Sequence, residues 1–556
     1  MARRRRDSRG RLGALVVAGA AALLAFPAAA SADVNTGVAA GVLTVTTTAG
    51  DAVTITSDAG NVKINGQDPE SGPAASAGLT AINVTGDDGG NNINLAAVNT
   101  PEFSAALTVS VDGRGGIDTI NGSQLADTLK GGDAGDRIIG DNNPGGTRDN
   151  MLGEAGDDEL VWNPGDGDDI NEGGAGNDKS EVNGGGKEQF EVKPGTVPGR
   201  VAFDRVQPDP TFLAPFSVDI SDDTERLDLN AGAADDVVKA DGELNALAFA
   251  LDINGGDGND VIDGGDGADN IAGGLGDDQI AADNNPAQTQ DIVNGDGGND
   301  TMTWNPGDGD DVNEGGEGAD TVVVNGGTGD EDFRVKPSTT LGRVQFDRID
   351  PAPFNVDIGT SESLVVNGGE GDDELKGTSG LAGLIASTFN GDDDSDDIKG
   401  TDGEDALSGG KGGDLIRSID KAADRIECGP GFDLALVDRR DTVRGCEIVL
   451  GGRLKVKVTG KSADVSNGAA ALTLRCVATQ RCNGLVKLRH GGKTIAKSKF
   501  AMGKKKTKDV RLKLNKRGLR LLAKAPNKGL KVQLRVDAKD ANGNGWRTDS
   551  ALRLTR

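Results

Sequence analysis

At 556 residues the chain is too long for one ordinary core, yet aromatics make up 3%, Tyr is absent, and 87 residues are Gly. That composition excludes a conventional globular core of this size, whereas a thin solenoid needs only one or two apolar residues per coil. The formal net charge of −30 is unevenly spread. Gly452–Arg556 holds about 28 Lys/Arg against about 5 Asp/Glu, near +23, which leaves roughly −53 for everything before it.

The chain opens with MARRRRDSRGR, LGALVVAGAAALLAF and PAAASAD. A basic region, a short apolar run and a small-residue A-x-A site at Ala30–Ala32 predict a secretory signal peptide over 1–32, with the mature chain starting near Asp33. The run is short for a membrane span of about 20 residues and no second one follows, so no transmembrane segment is expected in the mature, extracellular protein. No Cys stands at the cleavage site, which argues against a lipoprotein. From 33 to 108, Val, Thr and Ile alternate with polar residues between Gly/Asn/Asp turns, predicting short strands that begin or cap a solenoid.

The stretch 109–450 is built in blocks, about 109–250, 251–366 and 367–450. DNNPGGTRDNMLGEAGDDELVWNPGDGDDINEGG from Asp141 returns as DNNPAQTQDIVNGDGGNDTMTWNPGDGDDVNEGG from Asp283, with Trp162 matching Trp304. GRVAFDRVQPDPTFLAPFSVDI from Gly199 returns as GRVQFDRIDPAPFNVDI from Gly342; these segments carry no glycine phrase and read as longer, metal-free strands. A shortened third copy starts at Val366. At the centre stands Asn254–Ala281, one nine-residue phrase said three times: GGDGNDVID, GGDGADNIA, GGLGDDQIA. Glycines at the first, second and fourth places permit positive φ and close backbone approach, so GGxG is a tight turn. The remaining residues make one short strand, and its single apolar residue, Ile262, Ile271 or Ile280, can be buried only by stacking the units. Stacked coils lie about 4.8 Å apart, which would place turn carboxylates in columns of like charge. Such pairs repel by roughly 1 kcal/mol in water and about 4 kcal/mol at an effective dielectric near 20. A hard divalent cation removes that repulsion, and calcium, with six to eight oxygen ligands in irregular geometry, suits it better than magnesium. A disordered acidic linker would not keep an apolar residue two places after each Asp.

The phrase resembles the GGxGxDxUx nonapeptide of the RTX, or hemolysin-type, calcium-binding repeats. The resemblance implies an all-β fold, a parallel β-roll with two nonapeptides per coil, and several calcium ions held between turns by Asp carboxylates and turn carbonyls. It assigns metal-binding turns to Gly255, Asp257, Gly258, Asp260, Gly264, Asp266, Gly267, Asp269, Gly273, Gly276 and Asp278 in the central run. By the same spacing it assigns Asp118 and Asp136 in the first block and Asp396, Asp405 and Asp414 in the third, with isolated copies at Asp158, Asp178, Asp300, Asp320 and Asp373. GSQLADTLK around Asp127 lacks the second and fourth glycines, so no site is assigned there.

Cys428 stands in a nonapeptide-like turn and Cys446 eighteen residues on, with Cys476 and Cys482 close together in the basic region. Behind a signal peptide, four cysteines point to two disulfides; three connectivities are possible, and proximity favours 428–446 and 476–482. The spacing is wrong for zinc, and His490 is the single histidine. Residues 452–556 alternate apolar and polar residues between Gly/Asn turns, predicting a small β-sandwich that resembles the immunoglobulin-like C-terminal modules of secreted proteins, with one helix at LNKRGLRLLAKA. Its Lys/Arg surplus suits an anionic cell-wall polymer or polysaccharide; nucleic acid is disfavoured because aromatic stacking residues are scarce. No catalytic constellation emerges, since any Ser/His or Cys/His arrangement would depend on His490. The expectation is a secreted calcium-binding structural or adhesive protein that is not an enzyme. The alternative, a lyase-like β-helix acting on polysaccharide, would need a groove lined by Arg, Lys and aromatics.

Overall fold

The computed structural model describes residues 34–555 apart from 142–147, 207–214, 241–243, 245–249, 283–289, 452–455, 477–480, 504, 526–528 and 540–544. The expected signal peptide lies outside the described residues, as do most of the DNNP stretches after Asp141 and from Asp283.

The described chain is nearly all β and winds between two facing parallel ladders. The first ladder opens with Val42–Thr46, Ala81–Thr85, Thr108–Asp112, Asp127–Asp133, Arg148–Ala155 and Asp168–Ala175. The second opens with Ala52–Asp58, Asn92–Asn94, Thr119–Asn121, Arg137–Ile139, Glu159–Trp162 and Lys179–Asn183. Alternation makes these strands: Val109 and Val111 of one and Ile120 of the other point inward, and polar residues between them face out. The core is accordingly a narrow stack, one or two apolar side chains per strand, running the length of the coil. At its start, Asn35–Ala39 folds back antiparallel on Val42–Thr46 and covers the first edge.

The two FDR segments are not further coils but antiparallel meanders. In the first, Gln189–Pro194, Val201–Arg205 and Phe216–Ile220 enter the first ladder between Asp168–Ala175 and Val237–Ala240, where the second ladder has the single strand Arg226–Asn230. In the second, Asp332–Pro337, Val344–Asp350 and Phe354–Gly359 enter the second ladder, where the first has only Ser363–Asn367. The same sequence unit therefore lands on opposite faces: Trp162 ends a strand of the second ladder and Trp304 ends Thr301–Trp304 of the first. Two extra strands lengthen one ladder by about 10 Å, and the second meander restores the balance on the other side.

Each meander closes over one aromatic cluster. Trp162 stacks on Phe216 at 3.7 Å between centroids, and Arg205 covers both rings at 5.3 and 4.6 Å while pairing with the buried Glu188 at 2.6 Å. Trp304, Phe354, Arg348 and Glu331 repeat the arrangement, with the rings 3.8 Å apart and the ion pair at 3.2 Å.

The coil ends at Thr442–Arg444 and Ile448–Gly451, held by the Cys428–Cys446 disulfide; the second disulfide joins Cys476 and Cys482. Beyond it lie two small, mostly antiparallel sheets. One contains Val456–Thr459, Ser462–Ser466, Ala469–Cys476 and Thr507–Lys513, with Ser462–Ser466 also pairing parallel to the end of the last strand. The other contains Lys493–Met502, Cys482–His490, Leu530–Lys539 and Gly545–Thr555. The expected helix runs over Lys516–Ala523, its first turn capped by the Asn515 side chain, which accepts from the Gly518 N–H at 2.9 Å. Val449 pairs with Trp546, so the last strand lies parallel to Ile448–Gly451 and extends the second ladder into this module.

Arg205→Met leaves Glu188 buried without its cation and is expected to cost about 3–5 kcal/mol in chemical denaturation. Adding Glu188→Gln to the same chain should recover a large part of that loss.

Candidate metal sites along the edges of the roll

The nine-residue spacing alternates between the two edges of the coil, so residues eighteen to twenty-four apart share a column. At the edge where the chain passes from the first ladder to the second, the Asn91 N–H donates to Asp118 Oδ1 at 2.6 Å. The Asp118, Asp136 and Asp158 N–H groups donate in turn to Oδ1 of Asp136, Asp158 and Asp178, each at 2.7 Å. This column ends where the Asp178 N–H meets Glu225 at 2.7 Å. Beyond the first meander the column moves to the opposite edge. It runs from the Glu188 N–H to Asp236, Asp260, Asp278, Asp300 and Asp320 at 2.7–2.9 Å, ending on Glu362 at 3.0 Å. Beyond the second meander it returns: Glu331, Asp373, Asp396, Asp414 and Asp433 link at 2.8–3.1 Å and end on Glu447 at 3.3 Å.

In every aspartate of these three columns, Oδ1 takes the amide of the coil before, while Oδ2 is buried with no hydrogen-bond partner. The turn is shaped around that second oxygen. A Cβ on Gly255 would lie 2.4 Å from Asp260 Oδ2 and 2.5 Å from the Gly273 carbonyl oxygen of the next coil; Gly273 stands in the same relation to Asp278 at 2.4 Å. The first glycine of the phrase thus serves for room and not for dihedral freedom. Positive φ belongs to the second and fourth places, +102° at Gly256 and +146° at Gly258.

Asp269 goes to the opposite, wider edge, where its Oδ1 accepts from the Leu251 N–H at 3.3 Å and its own N–H donates to Asp291 at 2.9 Å. Asp405 also lies on a wide edge, and both its oxygens are taken by Thr401, through the backbone N–H and the hydroxyl at 2.7 Å each. Ser123 serves Asp127 in the same way. A hydroxyl at the second place therefore satisfies the carboxylate that elsewhere is left half-bonded. Carboxylate oxygens of Asp405, Asp420 and Asp424 come within 4.8 Å of one another. Asp257, at the third place of its turn, is exposed, and Asp266 is half-buried.

Burial is the largest cause of a rise in carboxyl pKa along the columns, opposed by the amide from the preceding coil. It pushes Asp118, Asp278 and Asp300 up to about 6, Asp136, Asp373 and Asp396 to about 7 and Asp236 to about 8; column neighbours add to the rise. At neutral pH these buried oxygens want either a proton or a cation. Repeated carboxylate oxygens without partners, in glycine turns full of backbone carbonyls, are the hard-oxygen donor set that suits calcium. Asp118, Asp136, Asp158, Asp178, Asp260, Asp278, Asp300, Asp320, Asp373, Asp396 and Asp414 all belong to it.

Two column members escape the sequence pattern. Asp236 follows A-G-A-A-D, with Ala in the first and fourth places and Ala234 held at φ +97°. Asp433 follows C-G-P-G-F, a glycine phrase whose first place is Cys428 and whose second and fourth glycines are legible. The glutamates at the column ends carry no such signal. No known protein-family model matches the chain, and no curated protein matches it.

Gly273→Ala, which drives a methyl group into Asp278, should destabilise by about 1–3 kcal/mol. Gly329→Ala, where nothing lies within 4 Å, should stay within about 0.5 kcal/mol in the same melts. The raised carboxyls bind protons more tightly in the folded roll than in the unfolded chain, where 3.8 is the ordinary value. Their contribution to a cation-free roll is full below about pH 4 and is lost as pH rises through 6 to 8, so melts in chelator should show a higher Tm at pH 4 than at pH 8.

Proposed function

We propose that this is a secreted, RTX-like calcium-binding repeat protein in which calcium is a structural cofactor whose binding is coupled to folding. The observation that supports this reading is the set of three columns whose buried inner oxygens have no partner, all but those of Asp236 and Asp433 beside a glycine that leaves room for them. In this reading the ions offset the repulsion between stacked carboxylates, and the roll orders outside the cell, where calcium is in the range of roughly 10⁻⁴–10⁻³ M that suits extracellular modules. The two disulfides and the lack of any described helix long and apolar enough to cross a membrane are compatible with an extracellular place. The role is structural or adhesive at the cell surface, with the roll as spacer and the immunoglobulin-like basic module as anchor, and needs no catalytic group.

Far-UV circular dichroism of Asp33–Arg556, titrated with calcium against magnesium, tests the reading. A cooperative gain of β signal with calcium alone is expected, with fewer ions bound in equilibrium dialysis by the Asp278→Asn/Asp300→Asn chain. A spectrum already folded in chelator at neutral pH and unmoved by millimolar calcium would overturn it. N-terminal sequencing of protein recovered from the medium should begin near Asp33.

A further inference from the structure

On the surface of the roll, several cations are matched with anions. Arg137 and Lys179 meet Glu159 at 2.7 and 2.9 Å, and Lys179 and Arg226 meet Asp228 at 3.0 and 2.7 Å. On the four-stranded sheet of the C-terminal module Lys487 and Arg547 pair with Asp537 at 2.9 and 2.8 Å and Arg535 pairs with Asp549 at 2.8 Å, while Lys497 and Lys499 stand exposed outside these pairs.

The outer face of the module's other sheet has no such pairing among the described residues. Val456, Leu474, Val510 and Leu512 face inward, so the alternate residues Lys457, Arg475, Arg511 and Lys513 stand exposed on the outer face. Lys457 lies directly opposite Arg475 in the register, a like-charge pair that costs stability. None of the four makes an ion pair among the described residues. Asp509 on that face accepts from the Thr473 hydroxyl at 2.6 Å, and exposed Asp464 on the neighbouring strand accepts from the Thr555 hydroxyl. Exposed Lys505 and Lys506 extend the cationic end, with the Lys506 carbonyl bonded to the Cys476 N–H.

We infer that this outer face, through Lys457, Arg475, Arg511 and Lys513, binds a linear, non-aromatic polyanion of wall or matrix type, its charge carried by phosphodiester or carboxylate groups. The inference deepens the anchor role given to the module and rests on that reading. Arg475 pairs with Thr507 and Arg511 with Ala471, so the two cationic clusters lie four residues apart along the strands, about 13–14 Å. A flat face with charge at both ends fits an extended chain better than a small anion, which asks for a concavity. The face offers Thr, Ala, Lys and Arg but no ring for base stacking, which sets it against single-stranded nucleic acid.

The test uses full-length mature protein in calcium and immobilised poly(glycerol phosphate), polygalacturonate, neutral dextran and single-stranded DNA. Binding to one of the first two is expected at about 50 mM salt, falling steeply as salt rises, and which of the two is bound identifies the charged group. Lys457→Ala/Arg475→Ala/Arg511→Ala/Lys513→Ala should weaken it by at least about tenfold, whereas Lys487→Ala/Arg489→Ala/Arg535→Ala/Arg547→Ala, which removes equal charge from the other sheet, should change it by less than about threefold. Should the first variant fold poorly, the single reversal Arg511→Glu carries the comparison. Failure to bind either polymer, equal losses in the two quadruple variants, or tighter binding of DNA would each overturn the inference. The circular dichroism response to calcium, recorded on the same samples, separates such a failure from a failure of the calcium reading.

Discussion

The structure turns on one hydrogen bond repeated from coil to coil, the backbone N–H of one column residue donating to the carboxylate Oδ1 of the next. It does two things at once. It fixes the register of neighbouring turns, since an amide can reach that oxygen only when the coils are stacked in phase. It also draws the carboxylate inward, below the glycine turn, where its second oxygen leaves water without acquiring a partner. A buried charged oxygen in that position is expensive, and the same geometry is repeated at every level, so the cost accumulates along the column. The roll is stable only if something of positive charge or a proton answers it, which is why register, burial and cation demand are one problem here and not three.

Where the columns stop, the chain supplies that positive charge itself. Glu188 and Glu331 occupy the head of the second and third columns, and each is met by an arginine from the adjoining meander, covered by a tryptophan and a phenylalanine. A longer side chain reaches the arginine, and the aromatic rings exclude water around the pair. The meanders are therefore joints whose buried carboxylates carry their own cation, placed between segments whose carboxylates do not. Because each inserts three strands on one face only, the column must change edges as it passes, and the second joint reverses the change made by the first. Three short columns result in place of one long one, each closed by a glutamate: Glu225, Glu362 and Glu447.

The sequence shows the repeated turn clearly because its chemistry is local. Gly255, Gly256 and Gly258, the aspartate two places on and Ile262 two places after that all act within one nonapeptide, so spacing alone identifies them, and the nearness of the paired cysteines favours, among three connectivities, the two disulfides that form. The purpose of the first glycine is less legible: Gly255 and Gly256 look alike in sequence, yet one makes room for an oxygen and the other adopts a left-handed conformation. The FDR segments read as longer strands, but each resolves into two strands of five to seven residues that run antiparallel beside the strand before them. That Trp162 and Trp304 fall on opposite faces follows from an odd number of half-coils between them, which no local spacing reveals. Asp236 is hidden because Ala234 accepts a conformation usually left to glycine.

The two ends of the roll face the same hazard, an open ladder edge, and meet it differently. At the start, a hairpin strand folds back on the first coil. At the finish, the third column ends on Glu447, which lies 3.7 Å from Lys539 of the basic module, while Val449 pairs with Trp546 of its last strand. An acidic column and a basic domain thus meet at an ion pair beside a shared sheet edge. The module's own sheets are mostly antiparallel and carry no aspartate column among the described residues, so nothing in them asks for a cation. It can stand as a folded seal against which the last coils of the roll are ordered, and its charge is then largely free to face outward.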